Sequence, residues 1–298
     1  MKLKDVLGKI ECRGALLRDG EFEALEQCTR VRVPLSLTYL ENSKYLDRMK
    51  EQNISCVISK SELQKDLLPY DVGVLITETP KLAFFRLHNY LAAKDKKVPT
   101  KIDPSAKISP QSYIAPYNVC IGKNVEIQPM AVIHENTVIQ DDVRICSGTV
   151  VAGQSFTAVH TEEGTGFLVQ DRGGVLLEEG VEICSNCHIA RGTLQNDMTI
   201  LGAYTKVDAM VHIGHGTVIG KNTLIPAGAT ISGNCVIGDY VWIGVNATVS
   251  NRIQIGDRAR ISLGAVVTKD VPEEATVSGN FAINHQRFIQ NLKASITD

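Results

Sequence analysis

From Leu177 to Val267 an aliphatic residue returns at every sixth position, through Ile183, Ile189, Leu201, Val207, Ile213 and onward. Of the sixteen positions in that series fifteen are Leu, Ile or Val, and Gln195 is the exception. The residue that follows is repeatedly Gly, Ala or Ser. A period of six belongs neither to a helix nor to an ordinary alternating strand. It is the signature of a parallel β-helix, in which each hexad supplies a short strand and a turn and three hexads close one triangular coil. The aliphatic residue of each hexad points to the coil axis. The same frame opens earlier at Ile102, Ile108 and Ile114, slips by one residue, and resumes from Ile121 through Ile145 to Val151.

Composition narrows the class. With 31 basic and 33 acidic residues the chain carries no charge excess that would suit nucleic acid or an anionic membrane. No run approaches the roughly 18 apolar residues of a membrane span, and MKLKDVLGKIECRG lacks the apolar core of a signal peptide. A soluble, cytoplasmic protein is expected. Eight cysteines in that setting read as reduced thiols. Cys184 and Cys187 form a CxxC with no second pair at zinc spacing, so a structural role and no metal site are expected.

Residues 1–100 have another texture. VRVPLSLTYL, SCVIS and DVGVLITET read as strands, and NSKYLDRMKEQ and PKLAFFRLHNYLAAKDKK as helices, which together predict a small α/β domain. KKVPTKIDPSAKISP marks the junction, and the coil is expected over 101–280. The hexad frame is lost over 152–176, where a loop must be thrown out from a corner and can wall a site. Residues 281–298 read as a short amphipathic helix, with Phe281, Phe288, Ile289 and Leu292 near helical spacing, suited to covering the open end of the coil.

Two stretches resemble a known family. LSLTYLENSKYLDRMKEQNISCVIS with PKLAFFRLHNYL is similar to the nucleotide-binding domain of the UDP-3-O-acylglucosamine N-acyltransferases (LpxD-like enzymes), and HIARGTL…YTKVDAMVHIGHGTVIGKNT to their catalytic segment. The resemblance implies a mainly β fold, a left-handed parallel β-helix behind a small N-terminal α/β domain. It also implies a homotrimer with sites between subunits, and acyl transfer from a pantetheine thioester to a sugar amine. No tightly bound cofactor is implied, only acyl-coenzyme A or acyl carrier protein as co-substrate.

Site candidates follow. His215, in IGHG, matches the family's catalytic histidine, and a base titrating near neutrality suits removal of a proton from an attacking amine. Residues 18 apart should stack at roughly 4.8 Å, placing Asp197 below His215 and Gly233 above it. Asp197 would orient the imidazole, with Asp208 the competing orienter. The Gly233 N–H would hold the oxyanion, a position the resemblance also assigns. No cysteine sits beside a base to form an acyl-enzyme. Tyr39, Asn42 and Tyr45 match the positions that hold the family's uracil, a set that fits uracil and thymine alike. His160, in the inserted loop, could touch substrate. His134, His188 and His212 read as surface or corner residues. His188, His212 and His215 on neighbouring hexads leave a metal-binding or purely structural β-helix as the alternative of another class.

The chain departs from the family in four places. Arg252, in SNR, replaces a second histidine and cannot accept a proton. A glycine–phenylalanine motif is reduced to GQSF, Gly216 follows His215 in place of Asn, and the C-terminal helical arm is about eighteen residues. These departures point to a relative that uses acyl-coenzyme A and a different acceptor, such as a dTDP-4-amino-4,6-dideoxy sugar for a surface glycan. The lipid A enzyme with its acyl carrier protein donor is the alternative.

Overall fold

The computed structural model describes residues 1–51, 54–279 and 282–296. Phe281 and the end of the NSKYLDRMKEQ helix lie outside them. The chain forms a left-handed parallel β-helix of three sheets, of nine, eight and eight strands, preceded by a separate five-stranded sheet. The coil advances by eighteen residues: Val207 pairs with Ile225, Ile213 with Ile231 and Ile219 with Ile237. The aliphatic hexad residues fill one continuous core, most of them wholly inaccessible. A second period of six appears in the backbone. Asn222, Gly228, Asn234, Tyr240 and Asn246 are left-handed, with φ between 53° and 70°. Each turn thus needs one such residue, and Asn and Gly supply it at least cost. Because each core residue touches the coils above and below, Ile243→Ala should cost about 2–5 kcal/mol, read as a fall in the urea midpoint.

The N-terminal sheet runs β1 (Ala15–Arg18), β5 (Gly73–Ile76), β4 (Ile54–Ser59), β3 (Ser36–Leu40) and β2 (Ala24–Leu25). Strands β2 to β5 are parallel and β1 pairs antiparallel with β5. Helices α1 (Leu46–Glu51) and α2 (Gln64–Leu67) lie on one side of it. The longer α3 (Pro80–Ala92) packs on the other with Phe84, Phe85 and Leu87 fully buried. The sequence marks the three inner strands and α3, and misses the edge strands β1 and β2, which carry only four and two residues.

Two irregularities tie this sheet to the coil. The first is the lost frame. Ile145 pairs with Ile183, 38 residues on, so the coil carries twenty extra residues. They project as a hairpin, Ala158–His160 against Gly166–Leu168, along α3. His88 of α3 bonds the Gln170 carbonyl at 2.7 Å, and burial drives its pKa down to about 4, so the ring is neutral there. Arg86 pairs with Glu162 at 2.9 Å. The second irregularity is silent in the hexad phase. Leu177 pairs with Leu201, 24 residues on, so six extra residues sit between Ile189 and Leu201. They bulge outward, leaving Gln195 exposed, while Leu194 turns away from the coil axis and joins the core under α3.

The terminal helix α4 (His285–Ile296) departs from its expected role. Phe288 and Leu292 are exposed, so its apolar face is not buried over the end of the coil. A twelve-residue helix that short has little packing area to offer. Among the described residues no helix is long and apolar enough to cross a membrane.

Candidate active site

His215 stands at the corner between the strands His212–Ile213 and Val218–Ile219. Above it the eighteen-residue register holds, and Gly233 lies against the ring: a Cβ there would approach Nε2 to 2.6 Å. The N–H groups of Lys221 and Asp239, at the same place in their hexads, donate to an aspartate one coil above, at 2.9 and 2.8 Å. The coil above Gly233 offers Asn251 instead, and among the described residues the Gly233 N–H donates to no acceptor. An open N–H beside a free imidazole nitrogen is what an oxyanion and an attacking amine need together.

Below His215 the expected stack fails. Because of the six-residue bulge, His188 rather than a residue eighteen back pairs under His212. Asp197 is buried, but its carboxylate accepts from Arg32 and from the Leu194 N–H at 3.1 Å, and it does not contact His215. Asp208 is exposed and bonds its neighbour, the Ala209 N–H, at 2.7 Å. Neither aspartate orients the imidazole directly. Thr193 does, its hydroxyl 3.2 Å from Nδ1. Behind it, Thr157 lies 3.3 Å from Thr193, Ser155 3.1 Å from Thr157, and Asp171 accepts from the Ser155 hydroxyl at 2.9 Å. Thr193, Ser155 and Asp171 come from the bulge and the inserted loop, the two places where periodicity says least. Burial lowers the pKa of His215 and raises that of Asp171. His215 is therefore a neutral base near pH 7, with the Asp171 and Asp197 charges opposing that shift and Arg252 adding to it.

A seam runs from this corner to the N-terminal sheet. Arg30 donates to the Gly216 carbonyl at 3.3 Å and to Asn234 at 3.2 Å, and Arg32 holds Asp197. Asn196 donates to Glu26 at 2.8 Å, and Glu26 is 1% exposed, its pKa raised by burial. At the far end Tyr39, Asn42 and Tyr45 share a cleft of about 140 Å³ with Gln27 and Arg252. Tyr39 leans on Phe84, ring centroids 5.1 Å apart, and burial raises its hydroxyl to about 12. Asn42 spends its carbonyl on the Lys44 N–H at 3.1 Å and keeps its amide donors. Arg252 therefore belongs to this cleft, bonding Gln27 at 3.4 Å, and is not a failed acid–base group.

The remaining candidates lie apart. His160 is exposed, and among the described residues its ring bonds only the Gly164 carbonyl of its own hairpin, 3.2 Å away. His188 and His212 stack in parallel, centroids 5.2 Å apart, while the His215 ring turns to Thr193. Among the described residues no three His, Cys, Asp or Glu side chains could hold a metal ion. Cys187 is buried, its thiol raised to about 11, and donates to the Asp208 carbonyl at 3.0 Å.

Known proteins place the chain first in a class. Residues 198–233 and 234–269 match the family described as bacterial transferase hexapeptide (six repeats). The structure is similar to that of Francisella novicida UDP-N-acetylglucosamine acyltransferase, with a TM-score of 0.51 and 25% identity over 64% of this chain and 71% of that one. The fold and site thus define a hexapeptide-repeat acyltransferase. A UDP-3-O-acylglucosamine N-acyltransferase of Campylobacter jejuni subsp. doylei is 32% identical over 247 residues, covering 72% of this chain and 73% of its own length. One of the same name from Helicobacter pylori (strain HPAG1) is 28% identical over 72% of this chain and 69% of itself. The chain belongs to the UDP-3-O-acylglucosamine N-acyltransferase family. This overturns the expected dTDP-4-amino-4,6-dideoxy sugar acceptor. Two of the departures that suggested it are local: Arg252 lines the cleft with Tyr39, Asn42 and Tyr45, and GQSF contributes Ser155 to the group behind His215.

Proposed function

We propose that the protein transfers an acyl group from a pantetheine thioester to the amine of a UDP-3-O-acylglucosamine. His215 Nε2 takes the amine proton as nitrogen attacks, and the Gly233 N–H holds the carbonyl oxygen as it gains charge. The C–S bond then breaks and His215 returns the proton to the leaving thiolate. Tyr39 and Tyr45 stack the base, the Asn42 amide and Arg252 serve its polar edge and the diphosphate, and Arg30 and Arg32 fix the seam between the two ends. The observation that carries this reading is His215 itself, with Nδ1 engaged by Thr193 and Nε2 beside an unused N–H.

The active form is a homotrimer in this reading. Its support within the chain is a stripe of outward apolar residues beside the His215 corner, Val138, Leu176, Ile200, Val218 and Val236, on successive strands of one sheet. A neighbouring subunit packed there would wall the site.

The test is amide formation with UDP-3-O-acylglucosamine, using acyl-coenzyme A and acyl-(acyl carrier protein) in parallel arms. At least one donor should yield amide. UDP alone at a hundred times its Kd should stabilise the fold by about 2.7 kcal/mol, seen as a raised melting temperature. Ester formation on UDP-N-acetylglucosamine, with no amide from either donor, would overturn the reading.

A further inference from the structure

We infer that Thr193, Thr157, Ser155 and Asp171 form a proton outlet, leading from His215 to a cavity on the far side of the inserted loop. The outlet deepens the amine-acylation reading and rests on it for its role, though not for its existence.

Four consecutive contacts, at 3.2, 3.3, 3.1 and 2.9 Å, connect the imidazole Nδ1 to the Asp171 carboxylate without a gap. The three intermediate groups are hydroxyls, which both donate and accept and turn to suit. Three of the four groups beyond the ring are screened from bulk water, with Ser155 8% exposed, Thr193 3% and Asp171 6%, and Thr157 between them is partly buried. The chain then opens. Asp171 and Gln154 line a cavity of about 640 Å³ between the end of α3, residues 95–97 and the coil, room for on the order of twenty waters. A ring that needed only orientation would be served by one acceptor. Here a run of hydroxyls from two separate insertions ends on a carboxylate facing that cavity.

The reaction gives such an outlet work. An amino sugar that binds as its ammonium has two protons to lose, and the leaving thiolate takes up only one. In the first step R–NH3⁺ yields a proton to His215 Nε2. The Nδ1 proton passes to the Thr193 oxygen, each hydroxyl hands its own proton onward, and the Asp171 carboxylate becomes the acid and releases it to cavity water. The neutral amine then attacks; as the C–S bond breaks the Nε2 proton passes to sulfur, and the vacated Nε2 takes the nitrogen's second proton. Loss of that proton to water from the emptied site, with return of one along the hydroxyls to Nδ1, restores the ring, so that the net release is one proton to sulfur and one to water. Around the ring stand Asp171, Asp197, Arg252 and His212; around the carboxylate stand Ser155, Thr193 and His215. Burial raises Asp171, against the hydrogen bonds from the Ser155 N–H and hydroxyl, which suits a group that must hold a proton briefly.

Two measurements on the full chain test this. In the substrate-free protein, labelled at histidine, the His215 Nδ1 proton should exchange with water about tenfold faster in the wild type than in Ser155→Ala or Asp171→Asn. Equal exchange in all three overturns the outlet, whatever the substrate. In the amide assay over roughly pH 5.5 to 9, both variants should lose about tenfold or more at the acid end and converge on wild type at the alkaline end, where the amine arrives neutral. Thr193→Ser, which keeps the hydroxyl, should keep the shape of the wild-type pH profile whatever its absolute turnover. A loss independent of pH in both variants would mean that the group only holds the ring, and would also overturn the proposal. Failure of wild type to form amide at any pH would instead remove the amine reading, leaving the exchange result to decide the outlet.

Discussion

His215→Ala is expected to lower kcat by about 10²–10⁴, with KM changed little. The magnitude follows from what the imidazole does. The groups the sequence offered in its place are engaged or turned away: Asp197 is tied to Arg32 and the Leu194 N–H, Asp208 faces solvent, and Arg252 is a cation in the cleft with Tyr39. The activity that remains would come from positioning and the Gly233 N–H. The wild-type pH profile carries the same information. Only neutral His215 is a base, so kcat/KM should climb with pH through its pKa. Burial lowers that pKa, so the acid limb should lie below the ordinary histidine value of about 6.5. Turnover of His215→Ala within a few fold of wild type would remove His215 from the base role.

Much of this was legible in the chain because a hexad is a strict local rule. An aliphatic residue out of phase would leave the axis empty, so the series marks the coil and the stacking of Gly233 on His215. The rule has a blind spot of its own length. Six extra residues leave every later aliphatic in phase while shifting the stack by a third of a coil, and so the pairing of Asp197 with His215 dissolves. Gln195 was the trace of that shift, and the companion sign was Leu194. It is an aliphatic one place off the frame, buried because it serves the core under α3 rather than the axis. Gly192 was a further trace, since any Cβ there would lie 2.1 Å from the Asp197 carbonyl oxygen. Thr193, Ser155 and Asp171 were not legible at all. They meet through a hairpin and a bulge that are anchored on α3, and no period relates their positions. In the N-terminal cleft, matching to relatives located Tyr39, Asn42 and Tyr45. The same matching misread Arg252, because a missing histidine says nothing about where its replacement points.

Gly233→Ala should separate folding from catalysis at this site. The added Cβ would come within 2.6 Å of His215 Nε2, 2.8 Å of Cδ2 and 3.0 Å of Cε1, all at the far end of a rotatable side chain. The ring can swing aside, and so the folding cost should stay near about 1 kcal/mol, at the low end for an overpacked position. Activity has no such escape. A displaced imidazole loses both its line to the amine and its contact with Thr193, and a misplacement of about 1 Å costs on the order of 10² in rate. The substitution leaves the backbone N–H in place, so the loss reports the ring and not the oxyanion donor. A double-mutant cycle reads this directly. If Gly233→Ala acts through His215, adding it to His215→Ala should change nothing further, a coupling of about 2.7 kcal/mol for a 10²-fold effect. If the two losses multiply instead, Gly233 acts independently of the imidazole, through the geometry of its own N–H, and the ring's freedom beside it is incidental.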